Sequence, residues 1–391
     1  MAWKKGKSAL IVVPVFLMIG TVTGLWRSCG TISFFLYHGL QGIEPTWFVL
    51  MAFLLSAILS FALGTSYGVC GTAGVVLMTL ARSGGVSVAV TAGAVLSGAY
   101  FGDRCSPMSS CANLVAACTG TELYRNVKEM LKTAALPTVL TVAFYAVLSV
   151  FHPITEVDAA TLAALKNHFS LTWPVMIPAA MMLFLPLLKL PIKWAMAASA
   201  ATALVVTVLI QGMPLTEALR TAIFGFAPAE PELAILSGGG LMSMTTASVI
   251  VFVTSLYSGI LEGIEALQPA KKTVEKMADK IGLFPTMAAV STLVVMVFCN
   301  QSVMVIMDEQ LVGESYEKRG AGRLERAMDI ANSGVTIAGL IPWSIAISVP
   351  LTMLGADYSA VPFAALLYLI PLCYFFTRRF FVPAQRRWTG K

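Results

Sequence analysis

Asp103 and Arg104 stand side by side in the segment FGDRCSPMSSCANL, residues 101–114, between the apolar run VSVAVTAGAVLSGAY and the apolar tail VAAC. Gly102 and Pro107 allow a helix to stop there, which frees main-chain carbonyls. Ser106, Ser109, Ser110 and Asn113 add neutral side-chain oxygens around the stop. Asp103 contributes one negative charge that can take a proton or hold a cation. Hard cations such as Na⁺ prefer oxygen ligands, and a desolvated carboxylate can trade such an ion for a proton at one site. An ionisable residue inside an apolar segment points to function by default. The alternative is a loop at a membrane surface, with Asp103 capping a helix and Arg104 snorkelling to the polar boundary.

The elements that hold these residues are set by composition. Of 391 residues, 57% are hydrophobic and 12% charged, against roughly 25% charged in soluble domains. The mean hydropathy of +0.81 comes from long apolar stretches. These fall near 8–26, 46–63, 65–81, 84–100, 133–151, 170–188, 193–211, 234–261, 281–312, 327–353 and 359–377. A span needs about 20 apolar residues. The chain is therefore expected to be all-α, a polytopic membrane protein of about 10–12 transmembrane helices forming one domain over 1–391. There is too little polar sequence to cover a soluble surface.

The seven cysteines are scattered without a CxxC pair, and His38, His152 and His168 lack metal-ligand spacing. No nucleophile–base set stands out, so an enzyme is not expected and no cofactor is implied. The net charge of +6 reports orientation in a bilayer and not nucleic-acid binding. Lys4, Lys5 and Lys7 precede the first run, which continues through Trp26 and reads as a span, not a cleaved signal.

Basic residues bias loops to the cytoplasm. The N-terminus, the loops 121–132, 266–280 and 313–326, and the tail with Arg378, Arg379, Arg386, Arg387 and Lys391 are all basic. Both termini are thus expected inside a plasma membrane, with HPITEVDAATLAALKNH and GADYS outside. The loop 121–132 reads as a surface helix with a mixed-charge face. The stretch 281–312 is too long for one span and short for two. Asp308 and Glu309 read as counter-charges to the adjoining basic loop, Glu262 and Glu265 as interfacial, and Glu230 and Glu232 as part of an external turn. The glycine-rich stretches GTSYGVCGTAGVV and SGGGLMSMTTAS fit close helix packing more readily than ligand contact.

Four segments interrupt the apolar pattern: WRSCGTISFFLYHG, the Asp103 segment, CNQSVMVIMDEQ from Cys299, and ANSGVTIAGLIPWS from Ala331. Backbone breaks inside a bilayer persist where protein or a water-filled cavity satisfies them. Two lie in the first third and two in the last, as in transporters built from paired halves. Asn113 and Asn332 form a weak echo between the halves.

The chain resembles the NhaC-type Na⁺/H⁺ antiporter family. The resemblance runs through TGLWRSCGTISFFLYHGL, SYGVCGTAGVVLM, SGAYFGDRCSPMSSCANLVAACTGTELYRNVKEML, GGGLMSMTTAS and YEKRGAGRLERAMDIANSGVTIAGLIPWS, and so spans nearly the whole sequence. It implies two inverted halves with interrupted or re-entrant helices, and antiport of Na⁺ against H⁺ by alternating access. Asp103 would carry ion and proton. Ser106, Ser109, Ser110 and Asn113 would line the first broken segment, and Asn300, Gln301, Asn332, Ser333 and Thr336 the second half of the cavity. Na⁺ and H⁺ are then cargo, the bilayer is the surroundings, and a homodimer is a compatible assembly.

Three positions depart from the family pattern. Ser110, Asn300 and Asn332 stand where members commonly carry acids, and members usually have further apolar segments ahead of the point matching Met1. The lost acids favour a second expectation: an ion-coupled exchanger of a small organic solute, an amino acid or carboxylate, held at a positive helix end. A membrane protein with no transport of its own is a third.

Overall fold

The apolar runs fold as helices because, in a bilayer, a helix satisfies its own backbone groups. The computed structural model describes residues 14, 17–42, 45–154, 159–188, 190, 192–245, 248–249, 253 and 267–381. Among these there is no strand, only an isolated bridge between Phe226 and Gly238. The first part comprises α1 (17–28), α2 (Thr31–Gly42), α3 (Phe48–Leu63), α4 (Ser66–Val69), α5 (Val75–Ser83), α6 (Val88–Cys105), α7 (Ser110–Thr119) and α8 (Leu123–Phe151). The middle holds α9 (Ala159–His168), α10 (Ile177–Leu187), α11 (Ile192–Leu209) and α12 (Leu215–Phe224). The last part holds α13 (Leu267–Ile281), α14 (Leu283–Phe298), α15 (Gln301–Lys318), α16 (Arg323–Asn332), α17 (Gly334–Ile337), α18 (Ile345–Leu354) and α19 (Ala365–Phe381).

Helix α8 has 29 residues and a mean hydropathy of 2.0 over its most apolar stretch, yet only 28% of that stretch is buried. Val139, Val147, Val150 and Phe151 face outward. A soluble core helix this apolar would be covered; here the apolar face meets lipid. At 1.5 Å per residue α8 is about 43 Å long, enough to cross the hydrocarbon and one headgroup layer. It begins at Leu123, so the basic segment 121–132 is not a separate surface helix but the polar first turns of this span.

The other apolar helices are shorter because they are interrupted. All four segments singled out in the sequence are broken: at Cys29–Gly30 between α1 and α2, at 106–109 between α6 and α7, at Cys299–Asn300 between α14 and α15, and at Ser333 between α16 and α17. Cys299 has φ +56°, the sole left-handed non-glycine residue among those described. The stretch 281–312 thus resolves into a hairpin of two helices. Its far end returns to the helix it started from: Lys318 Nζ lies 3.0 Å from Glu275 and Arg319 pairs with Asp279, both acids on α13. Glu275, with Glu314 on its own helix, pushes the Lys318 ammonium up. A further break, at Gly64–Thr65, falls where the run 46–63 gives way to the run 65–81. There the glycine-rich stretch divides into α4, a π-turn at Cys70–Gly74, and α5.

The seam that positions the Asp103 segment is the α3–α6 contact. A Cβ on Gly102 would lie 2.0 Å from the Ser60 carbonyl carbon, and one on Gly98 would lie 2.5 Å from the Phe53 carbonyl oxygen. The two backbones therefore touch, and the Ser60 hydroxyl donates to the Ala99 carbonyl. On the other side of α6 the Tyr145 hydroxyl of α8 sits 2.6 Å from Ser97 Oγ, 2.9 Å from the Gly93 carbonyl and 2.7 Å from the Phe363 carbonyl. Gly102→Ala should force α3 and α6 apart and destabilise the protein by about 1–3 kcal/mol. A thermal melt in detergent should show a clear drop, and an unchanged midpoint would mean that this seam is looser than described.

Candidate functional site

Helix α6 ends one residue after Arg104 because Ser106 is extended, its N–H bonding back to the Gly102 carbonyl at 2.8 Å. Three residues later Ser109 caps α7, its oxygen accepting from the amides of Cys111 (3.1 Å) and Ala112 (3.2 Å). Its hydroxyl proton goes to the Asp103 main-chain carbonyl, so one serine closes both sides of the break. Asn113 completes the closure, donating to the carbonyls of Ser109 (2.7 Å) and Pro107 (3.2 Å).

This closure turns the Asp103 side chain inward, where it is 7% exposed. The carboxylate faces the amide and hydroxyl of Ser66, the hydroxyl of Ser109 and the side-chain amide of Gln301. Tyr67, Cys70 on the π-turn, and Cys111 lie within its electrostatic range. The acid therefore sits where α4, α6 and α7 of the first part meet the start of α15 in the last. Gln301 is held there by its donation to the Val335 carbonyl, 2.9 Å. Asn300 caps α15 by accepting from the amides of Ser302 (2.9 Å) and Val303 (3.2 Å). The Asp103 carboxylate and the hydroxyls of Ser66 and Ser109 bring oxygens of the kind a hard cation or a proton uses, while the Ser66 N–H and the Gln301 amide are donors to the carboxylate.

Arg104 points elsewhere, and it does not snorkel. It is 1% exposed, and all five of its N–H donors are engaged. Nε donates to Ala331 O (3.0 Å), Nη1 to Met130 O (3.2 Å) and Cys105 Sγ (3.1 Å), and Nη2 to Thr133 Oγ1 (2.8 Å) and Asn332 Oδ1 (2.5 Å). Every acceptor is neutral, and among the described residues no carboxylate pairs with it. The Asn332 amide in turn donates to Met328 O at 2.8 Å. Arg104 thereby fastens the end of α6 to α8 and to the end of α16.

The ten predicted residues divide by environment. Asp103, Ser109 and Gln301 come together, and Asn332 is one step away on Arg104. Ser106, Asn113 and Asn300 tie the breaks, with Ser106 Oγ accepting from the Met108 amide at 3.1 Å. Ser333 and Thr336 are buried but donate to their own helix backbone, to Asp329 O (2.6 Å) and Ser333 O (3.0 Å). Ser110 is exposed. The echo between Asn113 and Asn332 is not kept: the first is exposed on the first turn of α7, the second buried on Arg104.

Three buried polar residues were missed or misassigned in the sequence. Ser66 lies in a stretch taken for packing; the signal was Thr65, whose hydroxyl caps α4 by accepting from the Gly68 amide at 3.3 Å. Asp308 is not a counter-charge to the basic loop. It is fully buried, one oxygen accepting from Ser291 Oγ at 2.5 Å and the other unbonded. Its neighbour Glu309 does balance that loop, at 3.0 Å from Arg326. Asp329 is buried under Tyr316 (2.6 Å), Tyr374 (2.9 Å) and Arg378 (2.7 Å). Glu230 is exposed and lies 3.2 Å from His168, while Glu262, Glu265 and the side chain of Glu232 lie outside the described residues.

A cavity of about 710 Å³ opens beside the start of α8, lined by Gly120, Arg125, Glu129, Thr133, Arg323 and Glu325 among others. Thr133, which lines this cavity, also accepts from Arg104, so one residue separates the space from the buried guanidinium. Arg104→Leu would take the guanidinium donors from buried acceptors on α8 and α16, at about 1–3 kcal/mol for each one left unpaired. Its melting midpoint should fall steeply, whereas Ser110→Ala should melt as wild type; equal midpoints would refute the placement of Arg104.

The chain matches the Na⁺/H⁺ antiporter family over residues 3–111 and 98–377. A Na⁺/H⁺ antiporter of Haemophilus influenzae, uncharacterised, is 29% identical over 91% of this chain and 79% of its own length. A malate-2H⁺/Na⁺-lactate antiporter of Bacillus subtilis is 27% identical over 86% of this chain and 74% of its own. The Na⁺/H⁺ antiporter NhaC of Alkalihalophilus pseudofirmus is 26% identical over 94% and 83%. With broken helices meeting at a buried acid and an apolar surface turned outward, this polytopic membrane protein belongs to the Na⁺/H⁺ antiporter family.

Proposed function

We propose that the chain is a secondary active transporter of the cell membrane that exchanges Na⁺ for H⁺ by alternating access, with Asp103 carrying the proton in one half of the cycle and the cation in the other. The observation behind this is the buried Asp103 carboxylate, faced by Ser66, Ser109 and Gln301 from both parts of the chain. A bare carboxylate out of water is costly; a proton or a Na⁺ neutralises it. The centre therefore changes its exposure only when occupied, and that requirement couples the two ions. Ser66, Ser109 and Gln301 would supply further oxygens. Ser106, Asn113 and Asn300 hold the breaks, and Asn332 holds Arg104; Ser110, Ser333 and Thr336 have no direct part.

A second reading is exchange of a small organic carboxylate. Arg104 carries a buried charge whose acceptors are all neutral, with Asn332 where the family pattern has an acid. A carboxylate arriving through the 710 Å³ cavity would supply the missing counter-charge. One relative is named for malate and lactate exchange.

Asp103→Asn should insert and melt normally yet show no Na⁺-driven proton movement in proteoliposomes; wild-type rates would remove Asp103 from the mechanism. From the lysine and arginine bias we further propose that the segments 266–280 and 313–326 face the cytoplasm. A thiol introduced by Lys276→Cys or Arg323→Cys should resist an impermeant reagent added outside intact cells, and rapid labelling would invert the topology.

A further inference from the structure

Away from the Asp103 centre, two arginines share a second cavity. The cavity measures about 210 Å³ and its lining includes Thr23, Arg27, Gly71, Arg82, Ser243 and Thr352, with neither Asp nor Glu among the described residues. It lies toward the far end of α8 from the first cavity: Gly84, two residues beyond Arg82, abuts Ile154, just past the last turn of α8.

Each guanidinium is partly used. Arg27 Nη1 donates to the carbonyls of Leu236 and Ser237, both at 3.0 Å, and Arg82 Nη2 to those of Leu354 (2.9 Å) and Gly355 (2.8 Å). Arg27 Nε is buried and has no partner. The two charges are close enough to repel each other, and among the described residues neither arginine pairs with a carboxylate. If both served only to clamp the turns at 236–237 and 354–355, nothing would require them to face one space, and an acid between them would stabilise the pair. The arrangement leaves donors and positive potential on one shared cavity.

We propose that this cavity is a binding site for a small organic carboxylate on the face opposite the basic loops. An anion there would take the free fork of each guanidinium and relieve their repulsion, with the hydroxyls of Thr23, Ser243 and Thr352 for its remaining oxygens. A bare Na⁺ meets two like charges at the same place. The site also adjoins the transport centre: Gly71 lines it, while the preceding residue of the π-turn, Cys70, lies within electrostatic range of Asp103. This inference rests on the second reading above and deepens it, making a carboxylate the solute recognised from that side.

The test uses the full chain in lipid nanodiscs, with L-malate and L-lactate as probes in isothermal titration. Saturable binding of at least one is expected, weakened at least about tenfold by Arg82→Gln or Arg27→Gln and partly restored by Arg82→Lys. The same acid should protect Arg27 and Arg82 of the wild-type protein from phenylglyoxal, mapped by mass spectrometry, a readout that needs no variant to fold. No binding of either probe, unchanged binding in both glutamine variants, or equal modification with and without the acid would overturn the site. Na⁺-driven proton movement in carboxylate-free vesicles is scored separately. Its absence from the wild-type protein with carboxylate binding intact would refute the Na⁺/H⁺ reading and leave this site standing; the reverse pattern would refute the site alone.

Discussion

A guanidinium without water or a carboxylate partner can be tolerated only if neutral acceptors surround it. Arg104 draws them from the helix before the Asp103 break, from the long lipid-facing helix, and from the end of the broken helix in the last third. Much of the centre depends on that collection. It fixes where α6 stops, brings Asn332 and Ala331 against it, and leaves the adjacent Asp103 free to turn toward α4, α7 and α15. Two neighbouring charges are thus kept from cancelling each other. One serves as a bolt, and the other is the carboxylate to which the proposed exchange assigns the cation.

Breaking helices inside a bilayer exposes backbone groups, and the same local device repairs most of the breaks. Thr65, Ser109, Asn300 and Ser344 are each extended residues whose side chain accepts from amides of the turn that follows. The carbonyls are taken up across the structure. Cys299 O receives the Ile345 amide at 2.9 Å, and Ala346 O receives the Tyr100 hydroxyl at 2.6 Å. The broken ends therefore satisfy one another, drawing the α6–α7, α14–α15 and α17–α18 regions into one centre. A bilayer leaves few other ways to house polar backbone, so the same constraint that makes a break costly also specifies which segments must meet.

Much of this was legible in the sequence. All-helical architecture followed from composition, and the four interruptions followed from Gly, Pro and clustered small polar residues in apolar runs. Asp103 stood out as an acid in such a run. What was not legible were matters of direction. Arg104 and Asp103 differ by one position yet face opposite partners, which only the turn at 106–109 decides. Asp308 and Glu309 looked equivalent beside a basic loop, but 100° of helix rotation buries one against Ser291 and leaves the other on Arg326. Ser66 was hidden because a serine among glycines is also what close packing uses. The polar residues of SSCAN were read as one lining, whereas only Ser109 reaches Asp103; Asn113 ties the turn and Ser110 faces out.

That two separate parts of the chain act through one carboxylate is most directly tested by a double-mutant cycle. Ser66→Ala and Gln301→Ala approach Asp103 from opposite parts, and apparent Na⁺ affinity is the quantity to compare. If both act through the same carboxylate, their effects should be non-additive, with a coupling of about 0.5–3 kcal/mol. Strict additivity would contradict a shared centre and leave Asp103 with the first part of the chain alone.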